Sequence, residues 1–353
     1  MESDKNLVPL NSGITLSGCL ARNTAGLSCL PEGIYWGDLK TFHPALDFKN
    51  GTAFVAVNLD FKAIVQKEGK TIEDIIPKVY VVDSKGNLYS ITDERAFAAK
   101  GLRLAKNIVM VPYRWNKGRL KEFLEGQTTL NVGRLFDSVK GCFRRYIHFE
   151  EQDTYSFMAL WTIGTYLHPL FDAFPMVLLC GPKDSGKSLT LQVTSLLAFN
   201  ARLQGDPTPA TMFRTIDEER PTMLFDEMEW LSHKDVNNQM ATILKFGYKP
   251  GCKVPRCTFD KFHNPYPTEF DAYCPKMFAN INGLENVLGD RTITFYQKRK
   301  TNSDTGIEDR SPSKDSGIWQ EIRHTLYLFT LTKWEGVKRI LDEQRDIPLQ
   351  NRD

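Results

Sequence analysis

The ten residues Leu179–Ser188, LCGPKDSGKS, lie near the middle of the chain and decide the fold of the segment around them. From Gly181 to Ser188 they fit the pattern G-x-x-x-x-G-K-[ST], between an apolar strand and an amphipathic helix. In such a loop the glycines turn backbone N–H groups toward phosphates, Lys187 supplies a positive charge and Ser188 offers a hydroxyl to Mg²⁺. The stretch therefore predicts a nucleotide-binding loop. Its predicted contacts are Gly181, Pro182, Lys183, Asp184, Ser185, Gly186, Lys187, Ser188 and Leu189.

A second acidic motif follows at the distance that such a site needs. The apolar strand Thr222–Phe225 ends in Asp226-Glu227, and Asp226 lies 38 positions after Ser188, which leaves room for a helix, a strand and a second helix. An Asp at the carboxyl end of a strand beside the loop holds Mg²⁺, together with Ser188, and the next Glu polarises an attacking water. We therefore assign Asp226 to the metal and Glu227 to the base. The competing interpretation is a plain glycine-rich turn and two carboxylates that face water.

The Asp-Glu pair indicates which kind of nucleotide enzyme to expect. A small-molecule kinase has no need of a water-activating base, because its acceptor is the substrate, whereas an ATP-hydrolysing motor does need one. The chain has no Asn-Lys-x-Asp motif, which a GTPase would use to read its base. The only LSG, which an ABC ATPase would carry after the loop, lies before it at Leu16–Gly18. The sequence favours ATP and Mg²⁺ as ligands.

The composition of the 353 residues limits the other classes of function. With 41% hydrophobic and 25% charged residues the chain is of ordinary globular type, long enough for two domains. A net charge of +2 excludes a uniformly basic nucleic-acid-binding surface. Seven scattered cysteines and the lack of a leader pattern at the start favour a reduced, cytoplasmic protein. The apolar window 157–181 contains His168, Pro169, Asp172 and Pro175, so we expect a buried helix, a turn and a buried strand instead of a membrane span.

Changes in pattern along the chain predict five segments. Short alternating apolar runs between about Thr52 and Trp115 predict a β-rich N-terminal domain over 1–115, able to bind nucleic acid or a partner. A helical linker is expected over 116–155, with Val132, Leu135, Phe136 and Val139 on its buried face. The α/β core is expected over 156–297, a mobile polar loop over 298–317 and C-terminal helices over 318–353, where two short helices would fit.

The segment after the acidic motif predicts further elements of the core. A helix is expected over 236–246, and Val254–Phe259 could pair with Glu269–Tyr273 around the turn-rich tip DKFHNPYPT. The apolar strand Lys276–Asn282 follows, then a short helix over 284–288, Gly289-Asp290-Arg291 and a last strand over 292–296.

From about Tyr155 to Gln297 the chain resembles the AAA+-like ATPase domain of replicative helicases carried by plasmids, phages and integrated elements. It is more distantly similar to superfamily 3 and MCM helicases. The matching residues are ALWTIGTY, GPKDSGKS, LFDE, the GYKPG and VPR block, FDAYCPKMFANI and LGDR, which cover roughly 40% of the chain. The resemblance implies a P-loop AAA+-like parallel sheet with flanking helices behind the smaller β-rich (α+β) domain. It also implies an ATP-driven helicase or translocase of replication that acts as a ring, commonly a hexamer, on single-stranded DNA with other replication proteins.

Individual roles follow from this resemblance by position. Asn282, or else Asn280, would sense the γ-phosphate and attacking water, and Arg291 would complete the site of a neighbouring subunit. Lys261 and His263 would lie on a hairpin that grips DNA, with Lys249 and Arg256 as weaker DNA-binding candidates. The family commonly continues into further helices, so the resemblance implies that 318–353 belongs either to a truncated chain or to a minimal member, without a complete lid.

Alternatives from other classes remain open at this point. Asn282 could simply cap a helix, Arg291 could pair with a carboxylate on the surface, and the hairpin could be a solvated turn. A nucleotide-dependent regulatory or assembly switch would keep the ATP site without translocation, and a small-molecule or nucleic-acid-end kinase would use an added hydroxyl as acceptor. The series Cys252, Cys257, His263 and Cys274 is too loosely spaced to predict a zinc site.

Overall fold

The computed structural model describes residues 39–67, 70–106, 108, 111–205, 207–227, 239–251, 253–259, 263–281, 289, 291–299, 307–308, 311–314 and 316–345. A β-rich part comes first, then helices, then an α/β core with further helices around it. This arrangement confirms the predicted fold class, a parallel α/β sheet with flanking helices behind a smaller β-rich part. Within the described ranges no helix combines the length and the apolar character that crossing a membrane requires.

The N-terminal part is built around a four-stranded antiparallel sheet in the order β2-β3-β4-β5. The strands β1 and β6 form a separate parallel pair. The base of β3 is buried on both faces, because Phe54 packs on Phe42 at a ring distance of 4.8 Å while Val55 points into the core shared with the helices. The elements are β1 Lys40–Phe42, β2 Leu46–Lys49, β3 Thr52–Lys67, β4 Lys70–Asp83, β5 Leu88–Ser90, α1 Glu94–Ala98 and β6 Leu102–Leu104.

The core is a five-stranded, all-parallel sheet in the order β13-β7-β12-β9-β8. Its strands are β7 Met176–Cys180, β8 Arg202–Gln204, β9 Met223–Phe225, β12 Lys276–Asn280 and β13 Thr292–Tyr296. Every residue of β7, β9 and β12 is buried, as the nearly continuous apolar runs MVLLC, MLF and KMFAN require when helices cover both faces of a parallel sheet. Residues of this sheet that could bind a ligand are therefore expected at the ends of its strands.

The connection from the glycine loop to the acidic motif has the predicted content. Helix α5 (Lys187–Leu197), β8 and α6 (Pro209–Glu219) lie between β7 and β9. The acidic strand β9 is not the neighbour of β7, because β12 pairs with both and separates them. The carboxyl end of β12 consequently lies between the glycine loop and the two acids.

The helices of the linker share one hydrophobic cluster with one face of this sheet. They are α2 Lys117–Leu124, α3 Val132–Tyr146 and α4 Gln152–Gly164, followed by a 3₁₀ turn over Thr165–Leu170. On α3 the predicted residues Leu135 and Val139 are buried, but Val132 is 44% exposed. The prediction for Val132 was wrong because this residue opens the helix, directly after the Asn131 cap, and lies beyond the edge of the core.

The C-terminal segment forms one long helix, α8 (Gly317–Arg345), where two short helices had been expected. Trp319, Ile322, Leu326 and Phe329 are buried as predicted, and the helix continues because no proline interrupts it and its interior Gly336 costs only about 1 kcal/mol. Trp115 stacks on Tyr327 of α8 at 4.6 Å. A single hydrophobic cluster joins α8 to the N-terminal sheet, to α2–α4 and to α5, so these parts share one core.

A two-stranded antiparallel hairpin lies outside the sheet, after helix α7 (Gln239–Phe246). Its strands are β10 Lys253–Phe259 and β11 Pro265–Asp271, so the predicted pairing is confirmed, but the turn is shorter than expected. Phe259 pairs with Pro265, which leaves only residues 260–264 between the strands. Prolines are tolerated in β11 because a two-stranded ribbon has free edges where a missing N–H costs nothing.

Candidate active site

The glycine loop joins the end of β7 to the start of α5 in a conformation that only glycine permits at two positions. Gly186 has φ of 91° and precedes the first helical residue, Lys187. A side chain at Gly181 would place its Cβ 2.2 Å from the carbonyl oxygen of Gln297. Gly186 has no side chain that could cap α5, so the first N–H groups of this helix face the loop opening without a side-chain acceptor. Such a helix start is suited to an anion.

Lys187 bends back over its own loop. Its Nζ donates to the carbonyl oxygens of Gly181 at 2.7 Å and Pro182 at 2.8 Å, and lies 3.5 Å from Ser185 Oγ. These carbonyls satisfy the ammonium group. A phosphate that entered the loop would compete for the same donor.

The two acids lie at the carboxyl end of β9. The Asp226 N–H donates to the carbonyl of Gln204 at 3.1 Å, which fixes the end of the strand, and the Glu227 N–H donates to Asp226 Oδ1 at 3.0 Å. Glu227 has φ of 56°, a left-handed conformation that is unfavourable for a residue with a side chain. Backbone strain of this kind clusters at functional sites, because the surrounding structure must hold it in place.

The loop and the acids line one cavity of about 420 Å³. Its wall consists of residues 183–189 of the loop and helix, Asp226, Glu227, and Ala279 and Ile281 from the end of β12. The volume lies in the usual range for small-molecule sites, about 300–1,000 Å³. A hydroxyl from Ser188 and a carboxylate from Asp226 are hard oxygen donors of the type that Mg²⁺ prefers when phosphates supply the remaining ligands. The residues present therefore fit a nucleotide phosphate chain with Mg²⁺.

The asparagines at the end of β12 occupy different positions. Asn282 lies outside the described residues. Asn280 is fully buried and pairs with Cys180 across the strands, while its neighbours Ala279 and Ile281 line the cavity.

Arg291 lies at the amino ends of the sheet strands, whereas the cavity lies at their carboxyl ends. Its Nη1 donates to the carbonyl of Lys245, and its guanidinium lies 4.7 Å from the ring centre of Tyr248. The next residue, Thr292, pairs with Met176 at the start of β7, whereas the glycine loop follows the end of that strand. Arg291 is therefore remote from the cavity of its own chain.

The proposed DNA contacts are spread over three places. His263 is exposed at the hairpin tip with φ of 65°, and Lys261 lies outside the described residues. Arg256 belongs to the hairpin but packs on Phe213 of α6, at 5.1 Å. Lys249 is exposed beside Tyr248, near Arg291.

Two residues beside the loop were not assigned a role from the sequence. Gln297 follows β13 directly, and its amide reaches Thr190 of α5, while Arg299 donates to the carbonyl of Lys183. The only local signal was a polar residue right after an apolar strand, which cannot reveal what it touches.

Several large pKa shifts belong to buried groups away from the cavity. Burial lowers the pKa of His168 to about 3, and burial together with Arg220 and Lys106 holds the pKa of His43 well below its usual value. Burial also raises the pKa of the Cys142 thiol to about 11. Across the described ranges no group of three or more His, Cys, Asp and Glu side chains could hold a metal ion, and Cys252 of the loosely spaced series lies outside them.

No protein-family model and no curated protein matches the chain. Among solved structures it is similar to the apo form of the NrS-1 C-terminal region, with 12% identity over 60% of this chain and a TM-score of 0.33. It is also similar to JCV helicase, with 13% identity over 66% of this chain and 68% of that one, and a TM-score of 0.31. The chain spans about half of the NrS-1 region, 48%.

Proposed function

We propose that this protein is an ATP-hydrolysing motor that moves along single-stranded DNA, as a helicase or translocase in the replication of a plasmid, phage or integrated element. One observation carries the ATPase part of the proposal: the glycine loop and the pair Asp226-Glu227, far apart in sequence, line the same cavity. The motor part is supported by the resemblance of the motifs over 155–297 to replicative helicases.

Each residue of the cavity has a chemical task in this proposal. The N–H groups at the start of α5 bind the phosphate chain, and Lys187 leaves the loop carbonyls to neutralise the β- and γ-phosphates. Ser188 and Asp226 hold Mg²⁺, which stabilises the charge that develops on the phosphates. Glu227 orients a water and accepts its proton, and Asn282 helps to place this water.

The remaining residues require a second copy of the chain. Because Arg291 is remote from its own cavity, we propose that it reaches the nucleotide of a neighbouring subunit in a ring of the hexameric type. In the same ring the hairpin tips, with Lys261 and His263, would meet the DNA strand, helped by Lys249 and Arg256. A net charge of only +2 is compatible with such local contacts.

The test is phosphate release from ATP and Mg²⁺, with and without a single-stranded oligonucleotide, followed by a strand-separation assay on a forked duplex. We expect hydrolysis, stimulation by the oligonucleotide and strand separation, all lost in Lys187→Ala. No hydrolysis and no ATP binding by the wild-type chain would reject the ATPase itself.

The two other classes of function are separate outcomes of the same test. Hydrolysis that the oligonucleotide does not stimulate, with no strand separation, would indicate a regulatory or assembly switch. Phosphate transfer to an added hydroxyl acceptor that persists in Glu227→Gln would indicate a kinase.

A further inference from the structure

The segment that follows β13, Gln297–Arg299, runs along the back of the glycine loop and touches it directly. The Gln297 N–H donates to the carbonyl of Cys180 at 2.7 Å, where the loop begins. The Gln297 carbonyl is so close to Gly181 that no Cβ would fit between them. Two residues on, Arg299 Nε donates to the carbonyl of Lys183 at 2.9 Å, in the middle of the loop.

The side chain of Gln297 reaches the far end of the same loop through Thr190. Gln297 Nε2 donates to Thr190 Oγ1 at 2.9 Å, and Thr190 Oγ1 donates to the carbonyl of Gly186 at 3.0 Å. The Thr190 N–H donates to this carbonyl as well, at 2.9 Å. One residue thus contacts the start of the loop with its backbone and the end of the loop through one buried hydroxyl.

The hydrogen bonds to the loop end on its carbonyl groups, and they thereby also set the direction of the loop N–H groups. In a trans peptide the N–H points away from the carbonyl of the same unit. When the carbonyls of Cys180, Lys183 and Gly186 are held toward Gln297, Arg299 and Thr190, the N–H groups that follow them point the other way. An anion in the loop needs N–H donors that are arranged in advance, since ordering them on binding would cost affinity.

The amide of Gln297 is not explained by packing. Gln297 is 2% exposed, and its Oε1 has no hydrogen-bond partner in the described part of the chain. A buried acceptor without a partner lowers stability, so an apolar side chain of similar shape would be the more stable choice here. What the amide adds is the Nε2 donor, and this donor is directed at Thr190.

We propose that Gln297 is a positioning residue for nucleotide binding, which acts through Thr190 to hold the glycine loop in its phosphate-binding conformation. Arg299 supports the middle of the loop in the same way. This inference rests on the proposed function, because it concerns the same phosphate site. It predicts an effect on nucleotide affinity that is separate from any effect on stability.

The experiment measures KM for ATP, kcat at saturating ATP and Tm for Gln297→Leu, Thr190→Val and Thr190→Ser. We expect KM to rise about three- to tenfold in Gln297→Leu and Thr190→Val, the size of one lost neutral hydrogen bond. The value of kcat should stay within about twofold, because a pre-arranged loop binds substrate and transition state alike. Thr190→Ser keeps the hydroxyl and should restore a wild-type KM.

A matched control and a double variant separate positioning from packing. Thr194, one turn further along α5, is equally buried and donates to the Thr190 carbonyl at 2.8 Å, so Thr194→Val should lower Tm without raising KM. Gln297→Leu combined with Thr190→Val should raise KM no more than Thr190→Val alone, since that change already removes the hydrogen bond between the two side chains.

The failure of this inference can be told apart from the failure of the proposed function. If the wild-type chain hydrolyses ATP but Thr190→Val has a wild-type KM, Gln297 does not position the loop. An equal rise of KM in Thr190→Ser, Thr190→Val and Thr194→Val would show that the effect comes from altered packing and not from loss of the Thr190 hydroxyl. If Gln297→Leu does not fold, the comparison of Thr190→Val with Thr190→Ser decides alone.

Discussion

Arg291 lies at the amino ends of the strands of the parallel sheet, and Lys187 lies at their carboxyl ends. Arg291 directly precedes β13, whose first residue pairs with Met176 at the start of β7, and Lys187 follows the loop that leaves the end of β7. The strand of five residues between these ends spans about 13 Å at the usual rise per residue. An arginine in this position cannot assist the nucleotide of its own subunit. It either stabilises its own end of the sheet, through Lys245 and Tyr248, or serves a neighbouring subunit.

Arg291→Ala separates these two roles. If the residue completes a neighbour's site, hydrolysis should fall about 10³-fold or more while ATP binding remains measurable. Mixing Arg291→Ala with Lys187→Ala subunits should recover part of the activity, because the intact loop of one meets the intact arginine of the other. Activity that stays absent in the mixture, from chains that remain monomeric with ATP and DNA, would contradict the role between subunits.

Glu227→Gln should slow hydrolysis by a factor of about 10² to 10⁴ and leave ATP binding nearly unchanged, because the amide cannot accept a proton from water. Single-turnover phosphate release and nucleotide binding are measured side by side. Glu335→Gln, an exposed substitution on α8, is the matched control and should hydrolyse ATP at the wild-type rate. Equal rates of ATP hydrolysis in the two variants would show that Glu227 does not act as the base.

Gly181→Ala should damage the loop through a steric clash. The added Cβ would lie 2.2 Å from the Gln297 carbonyl, so strand β13 or the loop must shift, at a cost of about 1–3 kcal/mol in unfolding free energy. Urea unfolding and ATP affinity should both be reduced. Gly205→Ala is the control, since no atom of the described residues beyond its chain neighbours lies within 4 Å of its Cβ position. A Gly181→Ala chain of wild-type stability would show that the close approach is relaxed in solution.

The hairpin tip is tested with the double change Lys261→Ala and His263→Ala. If the tip binds single-stranded DNA, the affinity for an oligonucleotide should fall about tenfold, as expected for the loss of one stacking contact and one charge. The stimulation of ATP hydrolysis by DNA should fall with it. Lys62→Ala on the β3–β4 ribbon removes a lysine that is paired with Glu73, and serves as the control. Unchanged affinity in the double variant would assign DNA binding to another surface.

The buried histidines predict how stability depends on pH. The pKa of His168 is about 3 in the native state, against about 6.5 in an unfolded chain, so only the unfolded chain takes up its proton as the pH falls below 6.5. This contribution to stability is complete above pH 6.5 and is lost on acidification, by about 1.4 kcal/mol at pH 5.5. Urea unfolding at pH 7.5 and 5.5 measures it.

His168→Asn should reduce that pH dependence by the same amount, because asparagine does not take up a proton in this pH range. Asparagine also retains a donor toward the Thr165 carbonyl, which His168 Nδ1 now contacts at 2.9 Å. His263→Asn changes an exposed histidine at a left-handed position that asparagine tolerates, and should leave the pH dependence as it is. An identical slope in wild type and His168→Asn would mean that this histidine binds its proton as readily in the native state as in the unfolded chain.

Local patterns in the sequence were sufficient for the elements around the loop. The run MVLLC, Gly186 before a helix and the strand that ends in Asp226-Glu227 are each specified within a few residues, because glycine conformation and hydrophobic periodicity act over that range. The same holds for the pairing of Val254–Phe259 with the strand after it, which is closed by a short turn. Boundaries were less secure, as β11 begins four residues before its predicted start.

The order of the strands and the contacts behind the loop were decided only by the tertiary structure. Nothing near Lys276 in the sequence shows that β12 lies between β7 and β9. Local sequence also does not show that Arg291 lies at the strand ends opposite the cavity, or that Gln297 contacts Thr190, 107 positions before it. Such contacts join residues that are distant along the chain and depend on how whole elements pack. The sequence by itself determined the glycine loop and the strand that ends in Asp226-Glu227, whereas packing of the sheet decided which residues stand behind the loop and which lie at the other end of the strands.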